Sequence, residues 1–329
     1  MPIYSTKPKD YSKAGPSDHV VLEALPGSPA PIVERNKLDM LVSGIVSGGR
    51  IHVSGETGTA KTLTIRTLLL NRTNFHNICK ALGVPKLPLS VYSCSVALVD
   101  GPPELAFRRS IKDGTTFDED STIVQALKEQ DGKEGKEYAA ILLPELGRTH
   151  SEAVQSALVD MITDAYLLQA TSQILRVGHV AWVADSNYAD QEGLYTLVAF
   201  DDALRRRFNV NLSMNHPVQE QECAILGHLV SSAPEDEIAR IVALGSKIRQ
   251  KKKDGALQSV PPPTLYGYAE FLRMHTRLPH VPVDTVAFAT ILGHCSDEDR
   301  SLAGNLLSTT HGVAAQLEDQ GEEGDAVMF

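Results

Sequence analysis

Apolar and polar positions change rhythm several times along this chain, and each change marks an element. Pro2, Pro8, Gly15, Pro16, Pro26, Gly27, Pro29 and Pro31 punctuate the start, which predicts an extended arm with little structure of its own over residues 1–31. Ile32, Leu38, Leu41 and Ile45 then recur at near-helical spacing and predict a helix over Ile32–Ser47. From Arg50 the pattern becomes a short apolar strand, Ile51-His52-Val53, followed by a Gly-rich turn and by helical periodicity over Leu63–Leu70. Further short apolar runs at Leu89–Ser93, Tyr138–Leu143 and Val180–Ala184 read as strands, with helical stretches between them, notably Ser151–Thr163.

Strands alternating with helices predict an α/β fold: a mostly parallel sheet covered by helices on both faces. Near Met214–Pro217 the character changes. From Val218 to about Ala315 the pattern is helical throughout, broken by Pro261-Pro262-Pro263, Pro279 and Pro282. The expected organisation is an arm (1–31), a core (32–215), a smaller all-helical domain (216–315) and an acidic, disordered tail (316–329) carrying Glu318, Asp319, Glu322, Glu323 and Asp325.

Composition narrows the class. With 329 residues, 42% hydrophobic and 22% charged, the chain can bury a substantial core, and a large domain with a smaller companion suits its length. No apolar run approaches the roughly 18 residues that a membrane helix needs. The polar stretch Met1–Ser17 lacks the apolar centre of a secretory signal, so the expected address is the cytoplasm, with no membrane partner. Cys79, Cys94, Cys223 and Cys295 are widely spaced, fit no metal-ligand pattern and read as reduced thiols. A formal charge of −10 argues against a dedicated duplex-binding surface. The basic block Arg249–Lys253 reads as a solvated helix end or loop.

The chemistry begins at Gly55-Glu56-Thr57-Gly58-Thr59-Ala60-Lys61-Thr62, between a predicted strand and a predicted helix. Small residues let the backbone curl so that successive N–H groups point inward, and the following helix adds its positive end. In such a phosphate loop, Lys61 reaches the β- and γ-phosphates of ATP and the Thr62 hydroxyl completes the shell of Mg²⁺. Ala60 stands where the general pattern has Gly, and it is the smallest alternative.

A phosphate-loop ATPase also needs a carboxylate at the end of a neighbouring strand to organise Mg²⁺, and a second to polarise the attacking water. Ala139–Glu145 offers the strand but only one carboxylate. In one register Glu145 is the base and Pro144 has replaced the metal-side Asp. In the other Glu145 serves the metal and Leu146 has replaced the base. The first register is preferred, because Glu145-Leu146-Gly147-Arg148 resembles the segment that follows the base in related ATPases.

With these segments in place, the later residues resemble the MoxR branch of the AAA+ ATPases, within it the CbbQ, NorQ and gas-vesicle group. Asn187, closing Asp185-Ser186-Asn187, resembles the family's sensor-1 residue, and Gln191-Glu192-Gly193-Leu194-Tyr195 resembles the run that follows it. Ala203–Phe208 resembles the segment carrying a trans-acting arginine, with Arg206 and Arg207 as equal candidates. His216–Glu222 resembles the entry to the helical lid, and Leu265 stands where the family carries its sensor-2 arginine. Ser95–Ala126 resembles the family's β-hairpin insertion, placed near 100–120; an ordinary surface hairpin is an equal alternative. The resemblance runs from Val33 to about Leu307.

The resemblance implies an ATP-hydrolysing remodelling chaperone that forms a hexameric ring or hetero-oligomer. It would act on a protein client, with a von Willebrand A domain protein as partner. Pro144 and Leu265 motivate an alternative, a nucleotide-gated scaffold with weak or no hydrolysis. A nucleic-acid motor and a small-molecule kinase stand further back, the first because of the acidic balance and the lack of a helix-turn-helix or aromatic stacking platform, the second because Asn187, the arginine segment and the helical lid suit a ring ATPase better.

Overall fold

The computed structural model describes residues 8–149, 151–168, 171–187, 201–293 and 295–311. Its chain divides into two compact units, Met1–Ile225 and Leu226–Phe329.

Among its described residues the first unit holds eleven strands: β1 (His19–Val21), β2 (Ile32–Glu34), β3 (Arg50–Gly55), β4 (Leu89–Ser93), β5 (Phe107–Lys112), β6 (Thr115–Asp120), β7 (Tyr138–Leu143), β8 (Ala165–Leu168), β9 (Gln173–Arg176), β10 (Val180–Asn187) and β11 (Val210–Ser213). Five of them form a parallel sheet in the order β11-β3-β10-β7-β4. The chain starts at β3, crosses to the β4 edge, and fills inward through β7 and β10 before adding β11 on the other side.

Parallel strands covered on both faces need apolar residues on both, which is why β7 and β10 read as unbroken apolar runs. Ala140, Leu142, Ala181 and Val183 enter one core with helices Arg35–Val46, Lys61–Leu70 and Arg72–Ala81. Their alternates Ala139, Ile141, Leu143, Trp182 and Ala184 enter a second core with Thr122–Gln130, Glu152–Met161 and Asp202–Arg207. Helix starts are fixed by side-chain caps: Asn71, Ser121, Ser151 and Asp201 each accept from backbone N–H groups of the first turn.

Several expectations shift. The predicted helix from Ile32 begins at Arg35, because Ile32–Glu34 pairs antiparallel with β1. Of the stretch expected as an arm, the described residues 8–31 are fastened to the core: Val20 and Leu22 are buried, Lys9 pairs with Asp18 at 2.6 Å, and Arg35 lies over the Tyr11 ring. The strand from Val180 runs on to Asn187, three residues past the apolar run. The expected hairpin is β5–β6, closed by Asp113-Gly114 with φ of 50° and 75°, the left-handed pair that a tight two-residue turn requires. A second hairpin, β8–β9, and the edge strand β11 were not anticipated by the pattern.

Among the described residues the second unit is helical. Beyond Gln219–Leu229, which crosses the division, it holds Glu235–Lys253, Leu265–Arg277, Val283–Thr290 and Asp297–His311. Tyr268, Phe271 and Leu272 lie buried in its interior. The basic block is the last turn of Glu235–Lys253, where positive charge opposes the helix dipole. No helix among the described residues is long and apolar enough to cross a membrane, and none of the four cysteines is in a disulfide. The Gln191–Tyr195 run and the tail 316–329 lie outside the described residues.

Candidate functional site

The carboxyl ends of β3 and β10 converge on one loop. In parallel α/β sheets this is where a crevice forms, since the strands end together and the following loops diverge. β3 ends at Gly55, and no larger residue fits: a Cβ there would lie 1.9 Å from the Met214 carbonyl oxygen. The loop then turns through Gly58 (φ 84°) and Ala60 (φ 61°, ψ 26°), both left-handed, and enters the helix Lys61–Leu70. Ala60 carries a Cβ in a conformation that favours glycine, which explains why Gly is the general choice at this place.

Lys61 folds back into the loop it follows. Its Nζ donates to the carbonyls of Gly55 (3.1 Å) and Glu56 (2.7 Å), to Thr59 Oγ1 (3.4 Å) and to Asn187 Oδ1 (2.9 Å). The residue is 5% exposed. Burial lowers the Lys61 pKa to about 8, against the opposing pull of the Asp185 and Glu56 carboxylates. The ammonium is thus held beneath the loop, at the position from which it can meet an anion cradled by the loop's N–H groups.

Period-two alternation decides which side chains of β10 reach this place. Ala181 and Val183 face the core that contains the helix Lys61–Leu70, so Asp185 and Asn187 point to the same side. Across the ladder Asp185 pairs with Val53 and Asn187 with Gly55. Asp185 is 2% exposed, accepts from the Thr62 hydroxyl at 2.6 Å and accepts from the Glu145 N–H at 3.3 Å. Burial raises its pKa, while the Thr62 and Glu145 hydrogen bonds and the Lys61 charge hold it down. Ser186 points to the other face, where it meets His52 Nε2 at 2.8 Å. Burial and the Arg205 charge depress that imidazole's pKa to about 4, so it is neutral.

Of the residues singled out from sequence, Gly55, Glu56, Thr57, Gly58, Thr59, Ala60, Lys61 and Thr62 form the loop and helix start, and Asn187 closes on it. Glu145 comes near through its backbone. It is left-handed (φ 53°, ψ 41°), and its carboxylate pairs with Arg148 at 3.0 Å, half-exposed. Arg206 is exposed and Arg207 half-buried, both on the helix Asp202–Arg207. Leu265 opens a helix of the second unit. Asp185 is the residue whose role sequence reasoning did not reach. Its only local signal was a carboxylate two residues before Asn187.

Among the described residues no group of three or more His, Cys, Asp or Glu side chains could hold a metal. Mg²⁺ suits such a setting nonetheless, since it is usually bound by one or two protein oxygens together with phosphates and waters. Thr62 Oγ1 and Asp185 Oδ2 are hard oxygen donors beside a phosphate-type loop, and they fit that ion.

No protein-family model and no curated protein sequence matches the chain. A solved structure from Cytophaga hutchinsonii, provisionally described as an ATPase, aligns over 85% of this chain and 89% of its own, with 15% identity and a TM-score of 0.39.

Proposed function

We propose that this chain binds ATP with Mg²⁺ at Gly55–Thr62 and works as an AAA+ ATPase of the MoxR branch, a ring-forming remodelling chaperone acting on a protein client in the cytoplasm. The observation that carries the reading is Lys61 held beneath a left-handed loop at the end of β3, with Asn187 of β10 bonded to its ammonium at 2.9 Å. A buried amine is costly unless an anion repays it, and the loop offers a cradle for one.

In this reading the loop N–H groups and Lys61 hold the β- and γ-phosphates, and bound Mg²⁺ neutralises charge on them. Asn187 orients the attacking water and Glu145 takes its proton, after leaving Arg148. Arg206 or Arg207, on the surface of one subunit, serves the nucleotide of the next in a hexameric ring. The hairpin β5–β6 exposes Ile111, 77% accessible, which suits contact with a client chain. The helical second unit takes the place of the lid, and a protein with a von Willebrand A domain is the expected partner.

A second reading, the nucleotide-gated scaffold, is favoured by the Glu145–Arg148 pair and by Pro144, which together leave no unpaired carboxylate at the end of β7. Steady-state ATP hydrolysis by wild type and Glu145→Gln separates the two. Turnover that stops in Glu145→Gln while ATP stays bound supports the remodelling ATPase. Bound ATP with no turnover, alone or with a partner, supports the scaffold.

A further inference from the structure

The metal-side carboxylate expected on β7 is absent, since the residue after Leu143 is Pro144. In the ladder between β7 and β10, Leu143 pairs with Ala184, so the next residue on the neighbouring strand is Asp185. Both positions follow residues of the same alternation: Ala140 and Leu142 on β7, like Ala181 and Val183 on β10, face the core shared with the helix Lys61–Leu70. A carboxylate moved one strand sideways at this level therefore stays on the side of the phosphate loop and comes closer to β3.

The geometry agrees. Asp185 Oδ2 lies 2.6 Å from Thr62 Oγ1. Two adjacent ligands of octahedral Mg²⁺, each about 2.1 Å from the ion, sit about 3.0 Å apart, so the pair is already near the edge of such a shell. The other oxygen, Oδ1, is anchored by the Glu145 N–H at 3.3 Å. Glu145's own carboxylate is engaged with Arg148 instead. A carboxylate 2% exposed, facing an alcohol and a buried ammonium, is positioned to be neutralised by a cation rather than by water.

We infer that Asp185, contributed by β10, is the carboxylate that holds Mg²⁺ beside Thr62, in place of the β7 residue that Pro144 has lost, which leaves Glu145 free of metal duty. This rests on the reading of Gly55–Thr62 as an ATP site.

The test is the affinity of a fluorescent ATP analogue with Mg²⁺ and with EDTA, for wild type, Asp185→Asn and Glu145→Gln. Wild type should bind more tightly with Mg²⁺. Asp185→Asn, which keeps the shape and an oxygen acceptor for Thr62, should lose at least about tenfold of the Mg²⁺ effect, with Mg²⁺-free affinity within about threefold of wild type. Glu145→Gln should keep the Mg²⁺ effect. Retention of the effect in Asp185→Asn, or its loss in Glu145→Gln alone, would overturn the assignment and leave the ATP site standing. No binding by wild type in either buffer would remove both.

If Asp185→Asn does not fold, Mn²⁺ electron-nuclear resonance on the wild-type nucleotide complex replaces it. Carbon-13 coupling from labelled aspartate supports Asp185, and coupling from labelled glutamate alone overturns it.

Discussion

Lys61 Nζ and Asn187 Oδ1 are 2.9 Å apart, a hydrogen bond that ties the start of one helix to the end of a strand that the sequence reaches only far downstream. It joins the loop Gly55–Thr62 to the residue read as a water sensor. It also fixes Lys61 before any ligand arrives, so part of the ordering cost of binding is already met by the fold.

The buried ammonium should make the proposed ATP binding pH-dependent. Its pKa of about 8 lies below the ordinary lysine value, so the charge is present below pH 8 and fades as pH rises through it. A bound phosphate raises the pKa again, so binding near pH 8 takes up a fraction of a proton. ATP affinity should fall several-fold between pH 7 and pH 9. Calorimetric enthalpies near pH 8 should vary with the ionisation enthalpy of the buffer, and an affinity flat across this range would contradict the placement of Lys61.

Ala60 should be improved by glycine. Its left-handed backbone (φ 61°) costs a residue with a Cβ about 1–2 kcal/mol, and glycine's extra unfolded-state freedom takes back about 0.4–1 kcal/mol. Ala60→Gly should therefore stabilise the first unit by roughly 0.5–1 kcal/mol. Trp182, the single tryptophan and 1% exposed on β10, reports that unit's unfolding in urea by its fluorescence. An unchanged or lower midpoint would show that the loop relaxes without help.

How much was legible follows from the same elements. β7 is a continuous apolar run closed by Pro144, and β4 is an alternating Leu-Ser-Val-Tyr-Ser run opened by Pro88, so their bounds could be taken from the pattern directly. The hairpin was legible through the resemblance of Ser95–Ala126 to a family insertion, and its Asp113-Gly114 turn carries the residues that a two-residue hairpin favours. β8–β9 gave no such signal: Leu168 and Leu175 are buried, but the exposed cross-strand pair Leu167 and Ile174 is apolar as well, so the sequence shows no apolar–polar alternation. β11 is a four-residue edge strand with only Leu212 buried. The Thr62–Asp185 contact was out of reach for another reason. It depends on β10 lying beside β3, a matter of strand order that no local spacing encodes.

The second unit has a position that tolerates nothing larger than glycine. A Cβ at Gly245 would fall 1.5 Å from the Oη and 2.3 Å from the Cζ of Tyr268, a fully buried ring whose hydroxyl accepts from Arg249 at 2.9 Å. Overpacking of this kind costs about 1–3 kcal/mol, only partly offset by alanine's gain of about 1 kcal/mol in helix propensity. Gly245→Ala should lower the unfolding midpoint of the helical unit, followed by far-ultraviolet circular dichroism. A midpoint at or above wild type would show that the Tyr268 ring can move aside.

Arg206 and Arg207 separate by assembly. If one of them serves a neighbouring subunit, its alanine variant should bind ATP like wild type when dilute. Its turnover at assembling concentrations should drop by about 10³-fold or more, the usual worth of an arginine supplied in trans. Mixing either variant with Lys61→Ala should restore some turnover at mixed interfaces, where an intact arginine meets an intact loop. Equal activity of both alanine variants and wild type would take the trans role away from this helix.

The central claim is that Gly55–Thr62 binds ATP, and calorimetric titration of ATP with Mg²⁺ into wild type and Lys61→Ala tests it most directly. The account predicts saturable one-site binding to wild type and at least a tenfold weaker affinity in Lys61→Ala, with the fold of the variant intact by circular dichroism. Equal affinity in the two proteins, or no binding to either, would contradict it.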